Sequence, residues 1–510
     1  MDTKRLLVIV LFLLIFAMAV RLPTDTDTWW HLASGKYILE TGHIPFSDPF
    51  SHTMAGKGWI DHGWLAQIAL YWLFQNFSYA GLGLALAAIV TGVMALVFLQ
   101  GGATSRRFGN LREGCDLYLN AFVTVLAAIT SSVIWVARPQ MLSFALVAAF
   151  SFILNRYKLK CLALPKSQAL YPGIYFIPLL FVLWVNVHGG FITGFLLLGS
   201  YIVGEVLNNL FDLPALSRRQ IITLLTATAI SLPACLINPN TYKMLFYPFF
   251  TVGIGALRDY IQEWSSPDFH LSYLHPFIWM LLLTVAAMAF SRRRTDFTEI
   301  GLVSLFCYMS FWAQRNIPLF AIVAAPVLMR HSSSILEEIA ESAQKGPLGK
   351  LLSRQLPQGP LLTGINWGIL ALVASVCALK IYYPLTPQAN LKAQEEGLPV
   401  AAARFIGEEA PPGEMFNSYN WGGFLIWKLY PRYRVFIDGR TDLYDDRFIR
   451  EYLKVVWMDE GWEEVLERYK VNLILIESES VLAKFLKSGL AQDWKLAYED
   501  EMASVFVRGG

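Results

Sequence analysis

The chain has 510 residues, of which 55% are hydrophobic and only 16% are charged. This composition, with a mean hydropathy of +0.44, excludes an ordinary soluble protein of this length and indicates many membrane-spanning helices. The 41 basic residues nearly balance the 39 acidic residues, so charge gives no indication of a nucleic-acid partner. The five cysteines have no metal-ligand spacing, which argues against a zinc site or a disulfide framework.

About eleven apolar stretches are predicted to be membrane spans, although some are shorter than the roughly 20 residues that a helix needs to cross a bilayer. Basic residues mark alternate connections between them, which places the N-terminus in the cytoplasm. Trp64 to Phe74 is interpreted as an interfacial helix, because counting it as a span would invert every later loop. The predicted spans lie near 6–20, 81–99, 117–135, 141–155, 172–186, 190–207, 220–236, 272–290, 298–312, 316–329 and 366–383.

The first apolar stretch has two interpretations. Lys4-Arg5, a short apolar run and Ala17-Met18-Ala19 fit a cleavable signal peptide as well as an anchor. An uncleaved anchor is preferred, because cleavage would leave the acidic segment that follows it as a loose N-terminus.

The connections on the extracytoplasmic side include a long first loop, 21–80, and everything after the last span. Seven of the eight histidines fall on this side, and only His331 does not. The polar connection 331–364 is predicted to be a cytoplasmic linker. The chain is therefore predicted to have a transmembrane domain, 1–383, and a small extracytoplasmic domain, 384–510. The predicted location is the cytoplasmic (inner) membrane.

The C-terminal region has the composition of a soluble α/β unit. Tyr433 to Asp438 and Val471 to Glu477 are predicted strands, because they are short apolar runs rich in β-branched and aromatic residues. The predicted helices are 397–409, 445–457, 461–469 and 478–488.

The first loop carries the strongest candidate site. Asp25 and Asp27 are one residue apart and close to His31, so they could hold a divalent cation or act as a base on a bound substrate. They could equally form a solvated turn.

Other polar residues fall at the same side of the predicted bilayer. Arg138, Arg315 and His188 lie at the ends of predicted spans, where an arginine could bind a lipid-linked phosphate, or could reach ordinary headgroups instead. The loop 237–271, with Arg258, Asp259 and Glu263, could supply another carboxylate or simply solvated charge.

Two motifs of the C-terminal region could contact a ligand. Trp421 is followed by two glycines, which allow a close backbone approach to a ligand but also commonly begin a helix. Asp438-Gly439-Arg440 ends a predicted strand, where Asp-Gly is also an ordinary turn signal.

This layout resembles the GT-C superfamily of polytopic glycosyltransferases, and most closely the catalytic subunit of oligosaccharyltransferase. It is also similar to bacterial membrane proteins grouped loosely with that superfamily. The resemblance implies an acidic metal and acceptor site in the first outer loop, with Asp25, Asp27 and Glu263 as candidate ligands of Mg²⁺ or Mn²⁺. The matching segments are Asp25-Thr26-Asp27, Trp29-Trp30-His31, Gly42-His43-Ile44-Pro45, Asp48-Pro49-Phe50, Asn420-Trp421-Gly422-Gly423 and Asp438-Gly439-Arg440.

The resulting hypothesis is a glycosyltransferase that takes a sugar from a polyprenyl-phosphate or diphosphate carrier and transfers it outside the cytoplasmic membrane to a protein, lipid or glycan acceptor. Asp25 or Asp27 would be catalytic, and His31, Arg138, His188, Arg315, Trp421, Asp438 and Arg440 are the candidate substrate-binding residues. The alternatives are a transporter or flippase, and a non-catalytic membrane scaffold whose outer domain binds a partner.

Overall fold

The computed structural model describes residues 1–105, 113–163, 171–255, 260–342 and 359–509. Every predicted span coincides with a helix, and seven of the described helices are long and apolar enough to cross a membrane, with two shorter apolar ones beside them. The chain is thus a mainly helical membrane protein. Its helices up to the last span are α1 (Thr3–Ala19), α2 (Thr28–Thr41), α3 (Trp64–Ser105), α4 (Glu113–Ser131), α5 (Gln140–Ala163), α6 (Ile177–Val187), α7 (Ile192–Leu210), α8 (Arg218–Ala234), α9 (Tyr242–Val252), α10 (His275–Phe290), α11 (Phe297–Trp312), α12 (Ile317–Ser342) and α13 (Pro360–Leu385).

Helix α3 has two parts. Ser78 has a non-helical backbone, with φ 53° and ψ −149°, and breaks the helix there. Residues before the break, such as Leu70 and Phe74, pack against the C-terminal region, whereas Leu86 and Val90 lie in the core of the membrane helices. The predicted interfacial helix is therefore continuous in sequence with the next span but packs in a different place.

Two sequence predictions fall partly outside the described residues. Arg258 and Asp259 lie outside them. So does the middle of the predicted linker 331–364, because α12 continues to Ser342 and α13 begins at Pro360.

The C-terminal region is a four-stranded mixed sheet with helices around it. Its strand order is β1-β2-β4-β3, in which β1 and β2 are parallel and the other two pairings are antiparallel. The predicted strand Val471 to Glu477 and all four predicted helices are confirmed to within three residues at each end, and a further helix, Pro387–Gly397, precedes them. The elements are α14 (Pro387–Gly397), α15 (Val400–Glu409), β1 (Glu414–Asn417), α16 (Gly422–Leu429), α17 (Asp446–Trp457), α18 (Trp462–Arg468), β2 (Val471–Glu477), α19 (Val481–Lys487), β3 (Trp494–Glu499) and β4 (Ala503–Arg508).

The predicted strand Tyr433 to Asp438 is wrong. This apolar segment is buried, but its only bridge pairs Val435 with Ser51 of the first loop. A hydrogen bond from the Val435 N–H to the Phe50 carbonyl, at 3.1 Å, completes the contact. The segment is apolar because it is covered by the first loop, and pattern alone does not distinguish this from a sheet strand.

The first loop and the C-terminal region share a hydrophobic core. Trp29, Trp30 and Phe50 are buried in one cluster with Phe424 and Phe436. The second glycine after Trp421 lets the backbone approach the first loop closely. A Cβ on Gly423 would lie only 2.8 Å from the Thr26 carbonyl oxygen. The C-terminal region therefore lies on the same side of the helices as the first loop.

Buried charges join the helices at their other end. Lys158 Nζ in α5 lies 2.6 Å from Glu205 Oε1 in α7. Glu299 of α11 contacts Arg330 Nη2 at 3.2 Å and His331 Nε2 at 3.1 Å, both in α12. Ionisable groups within spans would also suit a transporter, but these are paired with one another, which fits a role in holding helices together.

Candidate active site

Asp25 and Asp27 lie immediately before α2. Asp25 Oδ2 accepts hydrogen bonds from the Thr28 N–H and hydroxyl, both at 2.9 Å, and so satisfies donors in the first turn of this helix. Asp27 is the residue next to the helix and its side chain is about one-fifth exposed, compared with 7% for Asp25. The same short segment thus provides one structural carboxylate and one that faces open space.

Arg138 brings three carboxylates together. It lies in the corner before α5 and holds Asp25 with two groups, Nε at 2.8 Å from Oδ2 and Nη2 on Oδ1. Its Nη1 lies 2.9 Å from Asp27 Oδ2 and 3.3 Å from Glu263 Oε2. The sequence placed these four residues on one side of the membrane, and the structure places their side chains in contact.

Arg315 forms the opposite flank of Glu263. Its Nη1 lies 3.5 Å from Glu263 Oε1, and its guanidinium stacks 4.2 Å over the Trp264 ring. A hydrogen bond joins the turn that carries Glu263 to the turn that carries Arg315. The Gln314 N–H donates to the Ser265 carbonyl at 3.0 Å. Arg315 has fewer acidic partners than Arg138 and keeps more of its donors for a ligand.

The two aspartates differ in their pKa. Burial alone would raise the pKa of Asp25, but the charge of Arg138 and hydrogen bonds from Arg138 and Thr28 hold it below its ordinary value. For Asp27, burial and the neighbouring charges of Asp25 and Glu263 outweigh Arg138 and raise the pKa to about 7. Of these two aspartates, Asp27 is therefore the one that can exchange a proton near neutral pH.

Three histidines line the same cavity and are neutral at pH 7. Burial lowers the pKa of His31 and of His188 well below the ordinary value, and burial with the nearby Arg315 lowers that of His62 to about 4. His188 Nδ1 accepts the Gly190 N–H at 3.0 Å, so its proton is on Nε2. These rings can therefore act as hydrogen-bond donors or acceptors but do not add charge.

The cavity between these groups has a volume of about 440 Å³. Its polar wall includes Asp27, Arg138, Glu263 and Arg315. The other wall is apolar and aromatic, and two of its side chains, Tyr308 and Trp312 of α11, are exposed. The cavity thus has a charged wall that faces an apolar one. Apolar and aromatic lining residues are Trp30, Phe144, Ile192, Tyr247, Val252, Trp264, Tyr308, Met309, Trp312 and Leu319.

The C-terminal region completes the cavity with Gly439, Thr441 and Asp442. Gly439 contacts the catalytic candidate directly, because a Cβ added there would lie 1.8 Å from Asp27 Oδ1. Burial raises the pKa of Asp442 to about 6, and the Tyr247 hydroxyl donates a hydrogen bond to its carboxylate. Asp442 is therefore a third carboxyl group of the cavity, beside Asp27 and Glu263, and it comes from the C-terminal region.

Trp421, Asp438 and Arg440 lie outside this lining. Arg440 is fully buried and donates to Asp438 from Nε and Nη2, at 2.8 and 2.7 Å, and to Asp48 of the first loop from Nη1, at 2.6 Å. Its guanidinium also stacks 4.8 Å over Trp59. These contacts bind the C-terminal region to the first loop, and the substrate role of the three residues stays a prediction.

Sequence reasoning missed Asp442 and Tyr247. Asp442 lies four residues after Asp438 in an acidic, turn-rich segment, where nothing distinguishes it from a solvated charge. Tyr247 lies in α9, whose exposed Phe249 and Phe250 make the helix resemble a lipid-facing one. His62 lies in the first loop and stacks on Tyr247 with 4.7 Å between ring centroids, a long-range contact for which the sequence has no local signal.

No protein-family model matches the chain, and no curated protein matches its sequence. Its fold is similar to several solved structures. The oligosaccharyltransferase of Archaeoglobus fulgidus, tethered to an acceptor peptide with an NVT sequon, superposes with a TM-score of 0.58 at 12% identity over 99% of this chain and 74% of the other. The same organism's enzyme AglB, in complex with an inhibitory peptide and a dolichol-phosphate, gives 0.57 at 13% identity, covering 93% and 69%.

A third structure of the Archaeoglobus fulgidus oligosaccharyltransferase, in complex with zinc and sulfate, gives a TM-score of 0.52 at 14% identity over 99% of this chain and 73% of the other. The chain therefore shares the fold of these oligosaccharyltransferase structures, as the resemblance of its first loop and C-terminal motifs implied.

Proposed function

We propose that the protein is an inverting glycosyltransferase that uses a sugar carried on a polyprenyl phosphate or diphosphate. The observation that carries this proposal is the cavity itself, where carboxyl groups and two guanidinium groups face an apolar and aromatic wall that includes the exposed side chains of Tyr308 and Trp312. A lipid-linked donor needs both environments, one for its phosphate and one for its isoprenoid chain. The GT-C fold supports the same class of reaction, since similar structures hold dolichol-phosphate or an acceptor peptide.

Asp27 is proposed as the general base. It faces the cavity, whereas Asp25 is occupied by Arg138 and Thr28. In the reaction the acceptor oxygen attacks the anomeric carbon, and its proton passes to Asp27 as the new glycosidic bond forms. The bond from that carbon to the carrier phosphate breaks with its electron pair leaving on the phosphate, so the configuration of the carbon inverts.

Arg315 is proposed to bind the leaving phosphate. Its guanidinium lines the cavity and is held flat against Trp264, which leaves donors on its edge for planar, bidentate contact with phosphate oxygens. A cation placed where negative charge develops stabilises the transition state. His188, with its Nε2 proton, and Asp442 are proposed to bind hydroxyl groups of the sugar or of a protein, lipid or glycan acceptor.

The protein is proposed to work with its first loop and C-terminal region on the extracytoplasmic face of the cytoplasmic membrane. Basic residues in the alternate connections support this orientation through the positive-inside rule. The family resemblance also implies Mg²⁺ or Mn²⁺ among Asp25, Asp27 and Glu263. These three side chains do converge, but they converge on Arg138.

A transfer assay tests the proposal. The purified full-length protein is incubated with polyprenyl-phosphate- and diphosphate-linked sugars and a membrane extract as acceptor, and donor consumption is followed by mass spectrometry. Replacing Asp27 by Asn, which keeps its shape but removes the base, is expected to reduce turnover by about 100-fold or more. The matched control is Asp459→Asn, an exposed aspartate of the C-terminal region, which is expected to keep wild-type turnover.

Two results would contradict the proposal. One is an unchanged rate of donor consumption in the Asp27→Asn variant. The other is a wild-type protein that consumes no donor of either carrier type.

A further inference from the structure

Arg138 occupies the centre of the acidic site. Five contacts link its guanidinium to three carboxylates, and its side chain is only 15% exposed. A guanidinium has five N–H donors and is always protonated in proteins. Most of these donors are therefore already used on Asp25, Asp27 and Glu263, so Arg138 is a resident cation of the site and has little left for a substrate phosphate.

The carboxylate oxygens are occupied as well. Asp25 Oδ2 accepts from Arg138 and twice from Thr28, and Asp25 Oδ1 accepts from Arg138. The Glu263 oxygens lie between Arg138 Nη1 and Arg315 Nη1, at 3.3 and 3.5 Å. Mg²⁺ and Mn²⁺ bind such oxygens at about 2.1 Å in near-octahedral geometry, and these oxygens are directed at guanidinium groups instead.

Within the described ranges, no group of three or more His, Cys, Asp or Glu side chains is arranged to hold a metal ion. A similarly folded oligosaccharyltransferase was crystallised with zinc. The residues of this chain therefore do not fit a metal in the arrangement they adopt.

We propose that Arg138 takes the place of a divalent metal, so that this site works with a covalently attached cation and without an ion from solution. The inference deepens the proposed function, on which its catalytic meaning rests. Three carboxylates within reach of each other repel, and a single guanidinium that contacts all three offsets this repulsion while fixing their relative positions. Arg138 is thus a positioning residue for Asp27.

The test is a metal-binding measurement that does not depend on transfer. The purified full-length protein is stripped with EDTA, and MnCl₂, MgCl₂ or ZnCl₂ is titrated while thermal unfolding and, for manganese, the free-ion electron paramagnetic resonance signal are recorded. The wild type is expected to show no shift in Tm and no loss of free-manganese signal. Arg138→Ala is expected to expose the carboxylates and to gain a rise in Tm of roughly 3 °C at saturating MnCl₂.

The matched control is Arg21→Ala. Arg21 is also near the first loop, but its Nη1 donates to the Ser132 carbonyl at 2.9 Å, away from the carboxylates. This variant is expected to remain indifferent to all three metals. If Arg138→Ala does not fold, Arg138→Gln provides the same loss of charge with more of the side chain retained.

Stoichiometric manganese or zinc binding by the wild type, lost in Asp25→Asn and Asp27→Asn, would overturn the proposal. So would an Arg138→Ala protein that folds and stays indifferent to metal. The metal-binding result can be interpreted even if the proposed glycosyl transfer fails, because metal binding is measured without any sugar donor. If transfer is observed, wild-type activity is expected to survive EDTA within twofold.

Discussion

The strongest stability prediction concerns Arg440. Replacing it by Met removes the guanidinium that contacts the Asp48 and Asp438 carboxylates, both of which have fully buried side chains. Removing one partner of a buried ion pair costs about 3–5 kcal/mol. The lower end applies here, because Asp48 keeps two backbone N–H donors and Asp438 keeps the Tyr444 hydroxyl at 2.8 Å. We expect a loss of about 3 kcal/mol.

Thermal unfolding and limited proteolysis in detergent measure this loss. A decrease in Tm of about 5 °C or more is expected, together with faster proteolysis in the C-terminal region, because Arg440 joins that region to the first loop. The control is Arg432→Met, whose side chain is exposed and makes one hydrogen bond, to the Gly407 carbonyl. A triple variant, Asp48→Asn, Asp438→Asn and Arg440→Met, is expected to recover most of the loss.

A Tm of Arg440→Met within 1 °C of the wild-type Tm would show that the buried ion pairs of Arg440 do not stabilise the protein. A triple variant much less stable than Arg440→Met would show that the two carboxylates are not the source of the loss.

Two further predictions concern the site, and a third concerns Asp61, a buried aspartate of the first loop. Gly439→Ala is expected to reduce turnover at least tenfold, because its Cβ would displace the Asp27 carboxylate, whereas Gly407→Ala, where a Cβ has ordinary contact at 3.8 Å, is expected to have no effect in the same assay. Arg315→Ala is expected to raise the KM for the lipid-linked donor about tenfold and to lower kcat as well; a KM unchanged from the wild type would argue against phosphate binding there. Burial raises the pKa of Asp61 in the folded protein from an ordinary value near 3.8 to about 7. As the pH rises, the unfolded chain therefore loses this proton before the folded protein does. The wild type is expected to lose up to about 4 kcal/mol of stability between pH 4 and 7. Asp61→Asn is expected to lose less over that range and to have the higher Tm above pH 7; a Tm with the wild-type pH dependence would show that this proton does not matter.

The membrane fold could largely be predicted from sequence because its signals are local. Apolar runs mark spans, and basic residues mark one side of them, so the helices and the common side of Asp25, Asp27, Arg138 and Arg315 follow from the chain itself. The division into domains at residue 384 stays a prediction. The buried core shared by the first loop and the C-terminal region crosses that division.

Contacts between residues far apart in the chain could not be predicted from sequence. The segment Tyr433 to Asp438 looks like a strand because it is buried on several sides, but the first loop covers it instead of a neighbouring strand. The partner of Arg138 could have been phosphate, lipid or carboxylate, since an arginine at the end of a span suits all three. Only the fold brings Glu263 to the same guanidinium as the two aspartates, 125 residues away in the chain.

The most direct test of the central claim is a structure of the Asp27→Asn variant with an intact polyprenyl-phosphate-linked sugar, determined by electron cryomicroscopy. Without the base, the donor is expected to bind and not react. We expect density for the phosphate beside Arg315, the anomeric carbon facing residue 27, and the isoprenoid chain leaving past Tyr308 and Trp312. A donor bound elsewhere on the helices, with this cavity empty, would contradict the proposal.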